Sequence, residues 1–303
     1  ENLKLYGMSS FFNEFKNLYD NKKSPNKILL SGKKGLGKST LAYHVINYIL
    51  SFDEDYKYNV NNFTINTENK SFRLIQNKSH PNFYLIDLML EKKTIDISQI
   101  REMIYYTNKS SFNNLPRFIL IDNTENLNKN SVNALLKIIE EPNQILFFIL
   151  INNNEKKILP TLKSRCLDFK INFTFEESIN IVNSIINKNV LDIIGPDLIN
   201  YYLTPGRIIN LIIFSKEKKI DLKSLNLDDL LTLLIDGGHY KKNKVVKNMT
   251  IDLIELFFLK KYQLTTKKSL LIDLYFYFIN KINNTNKFNL DEESLFLEFK
   301  AKL

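Results

Sequence analysis

Gly32-Lys33-Lys34-Gly35-Leu36-Gly37-Lys38-Ser39-Thr40 is the stretch on which the fold turns. The apolar run Ile28-Leu29-Leu30 stands before it, and Leu41 to Leu50 behind it has helical spacing. Strand, glycine loop and helix in that order give G-x-x-x-x-G-K-[ST] the context it needs to be more than a turn that happens to carry Lys-Ser. Gly32 and Gly37 let the backbone pass through conformations that a side chain blocks. The loop amides then face phosphate oxygens, aided by the positive end of the following helix. Lys38 brings a point charge to the β- and γ-phosphates, and Ser39 offers a hydroxyl to Mg²⁺. The expected nucleotide-binding set is Gly32, Gly35, Gly37, Lys38, Ser39 and Thr40, with ATP and Mg²⁺ as the cofactors.

A phosphate loop of this kind needs a carboxylate beside it to hold the metal. Phe118-Ile119-Leu120-Ile121-Asp122 supplies one, four apolar residues and then an acid at the strand end. Ser39 and Asp122 are therefore the expected Mg²⁺ residues. In hydrolases of this plan a glutamate usually follows that aspartate and activates water; here the next residue is Asn123. An amide is no general base. Slow hydrolysis by the chain alone is the expectation, with Glu125 a possible substitute base that spacing does not establish.

The rest of the first half alternates. Phe11, Phe12, Phe15 and Leu18 recur at helical spacing, as do Ile97, Ile100, Met103 and Ile104, and Ser131 to Ile139 reads as a helix stopped at Pro142. His80 to Ile86, Ile145 to Ile151 and Leu167 to Ile171 read as further strands. Ser51 to Lys78 is polar and reads as a loop or insertion with a short strand. Strands alternating with helices from about residue 25 to 171 imply an α/β domain, a parallel sheet with helices on both faces. Beyond Phe173 the pattern is helical, with helices expected over 175–187, 191–203, 207–218, 230–237, 241–262, 267–282 and 291–303 and a polar connector at 283–289.

Composition narrows the class. Of 303 residues, 44% are hydrophobic and 25% charged, the balance of a soluble globular chain, and no apolar run approaches the ~18 residues of a membrane span. No signal-like segment opens the sequence, which starts at Glu1 without an initiator methionine, so a trimmed start is compatible with it. Cys166 is the single cysteine, which rules out an internal disulfide and fits a reducing, cytoplasmic setting. The net charge of +9 permits contact with DNA, but an Asn-, Lys- and Ile-rich composition of the kind an A+T-rich genome favours accounts for it equally well.

Two longer runs are more specific than either nucleotide motif. They are Asn133-Ala134-Leu135-Leu136-Lys137-Ile138-Ile139-Glu140-Glu141-Pro142 and Leu159-Pro160-Thr161-Leu162-Lys163-Ser164-Arg165-Cys166. With Asp122 to Leu127 before them, and with His80-Pro81-Asn82-Phe83, the chain resembles clamp-loader ATPases of the AAA+ class, in particular the bacterial DNA polymerase III delta-prime group. The resemblance is specific over about residues 28 to 172 and looser beyond.

That resemblance implies three domains: an AAA+ nucleotide-binding domain over 1–172, a helical lid over 173–222 and an all-α collar over 223–303 that joins subunits in a ring of five. It implies gamma/tau and delta subunits as ring neighbours, and a sliding clamp and primed DNA as what the ring acts on, with no membrane partner. Arg165 matches the arginine that reaches into the adjacent subunit's ATP site, where a guanidinium meets γ-phosphate oxygens in the transition state. Gly206-Arg207 matches the arginine that reads nucleotide in cis, and Asn153 or its neighbour Asn152 matches the polar sensor after the fourth strand. Relatives often carry a four-cysteine zinc module where this chain has 51–78; without cysteines there, no zinc is expected. Two other readings compete: a gamma/tau-like motor ATPase, and a stand-alone P-loop ATPase or switch.

Overall fold

The computed structural model describes residues 3–89, 92–109, 115–140, 145–199, 203–288 and 290–303. The chain divides into two compact units, Glu1–Glu177 and Ser178–Leu303.

The first unit holds a five-stranded sheet of β1 (Lys27–Ser31), β2 (Phe83–Ile86), β3 (Arg117–Ile121), β4 (Leu146–Asn152) and β5 (Leu167–Lys170), in the order β2-β3-β4-β1-β5. Every pairing is parallel, with Leu29 opposite Leu150, Ile121 also opposite Leu150, and Leu30 opposite Phe169. A parallel sheet is covered on both faces, so its inner strands read as unbroken apolar runs. All five residues of β3 are buried.

Alternation along each strand then sorts side chains into two cores. One gathers Ile28, Leu30, Phe118, Leu120 and Ile149 with Phe12 and Phe15 of α1 (Ser9–Asp20) and Leu41, Val45 and Ile49 of α2 (Lys38–Leu50). The other gathers Leu29, Ile119, Ile121, Phe148 and Leu150 with Ile100 and Met103 of α4 (Ile97–Thr107) and Val132, Leu135 and Ile139 of α5 (Lys129–Glu140). Glu141 and Pro142, the expected stop of α5, lie outside the described residues.

The expected loop over 51–78 contains a helix instead, α3 (Lys70–Gln76). The Asn69 side chain caps it, accepting from the Phe72 N–H at 2.7 Å. The only strand-like features there are isolated bridges of Thr64 to Lys4 and to Asn59.

The second unit is helical: most of α7 (Phe175–Ile186), then α8 (Pro205–Lys218), α9 (Leu227–Asp236), α10 (His239–Lys242), α11 (Lys244–Leu264), α12 (Lys268–Phe288) and α13 (Glu292–Lys300). α6 (Pro160–Lys163) belongs to the first unit. The helix expected over 191–203 is replaced by two 3₁₀ turns, Val190–Asp192 and Pro196–Leu198. Gly195-Pro196 breaks the pattern, because proline lacks an N–H for the α-helical bond; residues 200–202 lie outside the described set. The connector expected at 283–289 is mostly helix, since α12 runs on to Phe288 with Ile282 and Thr285 buried. Phe257, Phe278 and Phe299 form an aromatic centre, with Phe299 5.3 Å from Phe278 and 5.4 Å from Phe257 between ring centroids.

Candidate functional site

The carboxyl ends of β1, β3 and β4 lie side by side, because the registers carry Ser31 to Asn152 and Ile121 to Leu150. Three chain segments leave the sheet there: the glycine loop, Asp122-Asn123 and Asn153. An α/β sheet binds its ligand beyond this edge.

The loop is held close to the sheet. A Cβ on Gly32 would sit 2.3 Å from the Ile171 carbonyl oxygen and 2.9 Å from Leu36, so only glycine lets the backbone pass. Gly37, the N-cap of α2, takes the left-handed conformation with φ at 86°. That turn starts a helix of 13 residues whose first amides open toward the loop. Lys38 lies inside this cradle, 3% exposed. Its Nζ donates to the carbonyls of Gly32 and Lys33, both at 2.7 Å, which fixes the ammonium against the loop it serves. Burial lowers the Lys38 pKa from 10.5 to about 8, against the opposing pull of Asp122, Glu125 and Glu155. Gly35 and Thr40 belong to the same loop and first helical turn, half-buried.

Ser39 and Asp122, 83 residues apart in sequence, meet directly: the Ser39 hydroxyl donates to Asp122 Oδ2 at 2.6 Å. Burial raises the Asp122 carboxyl above its ordinary range; the Ser39 hydroxyl opposes this, and Asp87 adds to it. A hydroxyl and a carboxylate in contact are hard oxygen donors of the kind Mg²⁺ takes, so the residues present fit that ion.

Asn123 stands beside them with left-handed φ of 55°. Its amide is engaged at both ends. Nδ2 donates to Asp87 Oδ1 at 2.6 Å, and Oδ1 accepts from Asn153 Nδ2 at 2.9 Å. The Asn153 backbone N–H donates in turn to both carboxylate oxygens of Glu125, each at 3.2 Å. Glu125 is buried, and that burial raises its pKa. Of the two expected sensors, Asn153 joins this network, while Asn152 braces its own turn through Asn154. Asp87, at the end of β2, is a site residue that the motifs did not signal.

The two arginines singled out in the sequence each have partners within their own unit. Arg165, between α6 and β5, places Nη2 2.7 Å from Glu140 Oε1 and donates from Nη1 to the Thr161 carbonyl at 2.8 Å. Cys166 beside it packs partly buried on the second core, and burial pushes its thiol up to about 11, as expected of a small apolar residue rather than a nucleophile. Arg207, in the first turn of α8, ion-pairs within the helical unit, its Nε 3.1 Å from Asp252 Oδ2 of α11.

The family model described as "DNA polymerase III, delta subunit" matches residues 7–174. The chain belongs to this clamp-loader family. Among curated relatives it is 33% identical to DNA polymerase III subunit gamma of Buchnera aphidicola subsp. Schizaphis graminum over 225 residues, 73% of this chain and 54% of that protein. It is 32% identical to DNA polymerase III subunit delta' of the same organism over 165 residues, 54% of this chain and 48% of that protein. The corresponding delta' of Pseudomonas aeruginosa is 29% identical over 139 residues, 46% of this chain and 40% of that protein. The matches thus span about half the length of these relatives, or less. A crystal structure of a DNA polymerase III gamma subunit-related protein from Thermotoga maritima superposes with a TM-score of 0.51 and 15% identity, covering 95% of this chain and 97% of that one. The clamp-loader protein therefore has the AAA+ α/β fold followed by helices. No helix among its described residues is long and apolar enough to cross a membrane.

Proposed function

We propose that this clamp-loader protein is a delta-prime-type subunit that holds ATP in its own loop, hydrolyses it slowly unaided, and contributes Arg165 to the ATP site of the adjoining subunit. The observation that carries this reading is the amide of Asn123. It occupies the position next to Asp122, and both its ends are spent on Asp87 and Asn153. Asn123 itself therefore offers no proton acceptor to activate water.

The rest of the site is furnished for binding. The loop amides and the start of α2 receive the phosphates, Lys38 neutralises them, and Asn153 and Arg207 read the nucleotide. Ser39 and Asp122 hold Mg²⁺, which offsets charge on the phosphate oxygens. With Cys166 as the single cysteine, a cysteine-based zinc site is not part of the proposal. Residues 173–222 serve as a lid and 223–303 as a collar. The partners are gamma/tau and delta subunits in a five-membered ring; the ring acts on the sliding clamp and primed DNA in the cytoplasm, where it contacts DNA mainly through the backbone.

A second reading, a gamma-type motor, draws support from the match to subunit gamma over 73% of this chain and from the buried Glu125 carboxylate two residues beyond Asn123.

Reconstitution with the cognate subunits tests the proposal. Loading of the clamp on primed DNA is expected to require this chain, and loading at full rate without it would overturn the assignment.

A further inference from the structure

Arg165 does not hang free from its loop. The segment that carries it is tied down at several points. Its backbone N–H donates to the Leu162 carbonyl at 3.3 Å, and Ser164 Oγ donates to the Thr161 carbonyl at 3.2 Å, the same oxygen that accepts from Arg165 Nη1. Leu162 is buried in the core that also takes Val132, Leu135 and Ile139 of α5. The helix that carries Glu140 and the turn that presents Arg165 are thus seated in one packed layer.

Glu140 is the last described residue of α5. What it does there is hold Nη2 of Arg165 at 2.7 Å. A guanidinium has five N–H donors in a rigid plane, and the two contacts to Glu140 and Thr161 each take one. Among the described residues these two contacts leave its other donors for a phosphate oxygen. Arg165 keeps 38% of its side chain exposed, so an adjoining subunit can reach it.

We infer that Glu140 is a positioning residue for Arg165: it selects the guanidinium's orientation before assembly, so that ordering the long side chain is not left to the moment of catalysis. The inference rests on the reading of Arg165 as a donor in trans. On this reading Glu140 acts through that arginine alone.

The experiment uses the full chain in the reconstituted assembly, with ATP turnover measured at the neighbouring subunit's site. Glu140→Gln keeps the side chain's size and removes its charge. We expect kcat to fall about tenfold, with KM for ATP and the affinity of assembly unchanged, because a misoriented catalytic group loses rate rather than binding. Glu140→Asp is expected to recover part of the loss. In an Arg165→Ala background, Glu140→Gln is expected to add nothing, since the two act as one unit. If Arg165→Ala lowers the neighbour's kcat and Glu140→Gln leaves it unchanged or raises it, the positioning role is wrong while the in-trans reading stands. If Glu140→Gln slows turnover equally with and without Arg165, Glu140 acts by another route and the inference fails. If Arg165→Ala itself changes nothing, the in-trans reading falls and takes this one with it.

Discussion

Arg165→Ala is expected to lower ATP turnover at the adjoining subunit's site by about a thousandfold, the low end of what a guanidinium supplied in trans contributes to phosphoryl transfer. The same substitution is expected to leave this chain's own affinity for ATP unchanged. The physical basis is the charge that shifts onto the phosphate oxygens in the transition state. A permanently charged planar fork answers that charge with two parallel donors, which neither water nor a lysine reproduces. Within its own unit Arg165 pairs with the Glu140 carboxylate and the Thr161 carbonyl, on the α5–α6 layer. A reconstituted complex with each site assayed separately decides the matter. A fall confined to this chain's own binding, with the neighbour unaffected, would contradict it.

Lys38→Ala is expected to act on the opposite side of the division, weakening ATP binding by this chain about a hundredfold, the worth of a charge-assisted hydrogen bond of 1.5–3 kcal/mol. Its pH dependence is a sharper signature. The folded-state pKa of Lys38 is about 8, below the ordinary 10.5, and burial is the main cause. Between those values the unfolded chain binds more protons than the folded one, so this group's contribution to stability improves as pH rises from about 8 toward 10.5. Nucleotide affinity moves the other way, because phosphate requires the ammonium form. We expect affinity to be level below pH 7.5 and to fall about tenfold per pH unit above pH 8, until the pKa of the bound state is reached. Lys38→Arg is expected to abolish that slope, since arginine does not titrate there. Calorimetric titration of Mg·ATP at pH 7, 8 and 9 measures both effects; an unchanged slope in Lys38→Arg would assign the titration elsewhere.

The α/β half is legible in the sequence because its physics is local. Ile28-Leu29-Leu30 and Phe118 to Ile121 are unbroken apolar runs, as strands buried on both faces must be. The loop residues Gly32, Gly37, Lys38 and Ser39, and Asp122 at the strand end, are read from a motif whose spacing the chemistry dictates.

What the sequence hides depends on tertiary neighbours. Helix α3 is only seven residues long with a polar cap, and its Ser71 donates to Glu54, 17 residues back. The expected helix after Leu191 is apolar because Leu198 and Ile194 are buried, yet Gly195-Pro196 interrupts it and leaves 3₁₀ turns at Val190–Asp192 and Pro196–Leu198. The Asn283-Asn284 stretch reads as a connector by composition, but burial of Ile282 and Thr285 carries α12 through it. Asp87 carries no motif of its own, and Glu140 lies in the run Asn133 to Pro142, which does not say what its side chain touches. Asp87 matters through an amide 36 residues away, and Glu140 through an arginine that only the packed layer brings near. Alternating apolar residues fix which helices share a core; they do not reveal which polar side chains that core sets face to face.

The most direct measurement on the central claim is ATP turnover by the purified chain alone, run beside its ATP affinity and beside Asn123→Ala. The account predicts saturable Mg·ATP binding with kcat at least about a hundredfold below that of a family member with glutamate after the strand-end aspartate, the contribution of a missing general base. Vigorous turnover that survives Asn123→Ala would contradict it, and would give the chemistry to this chain's own pocket.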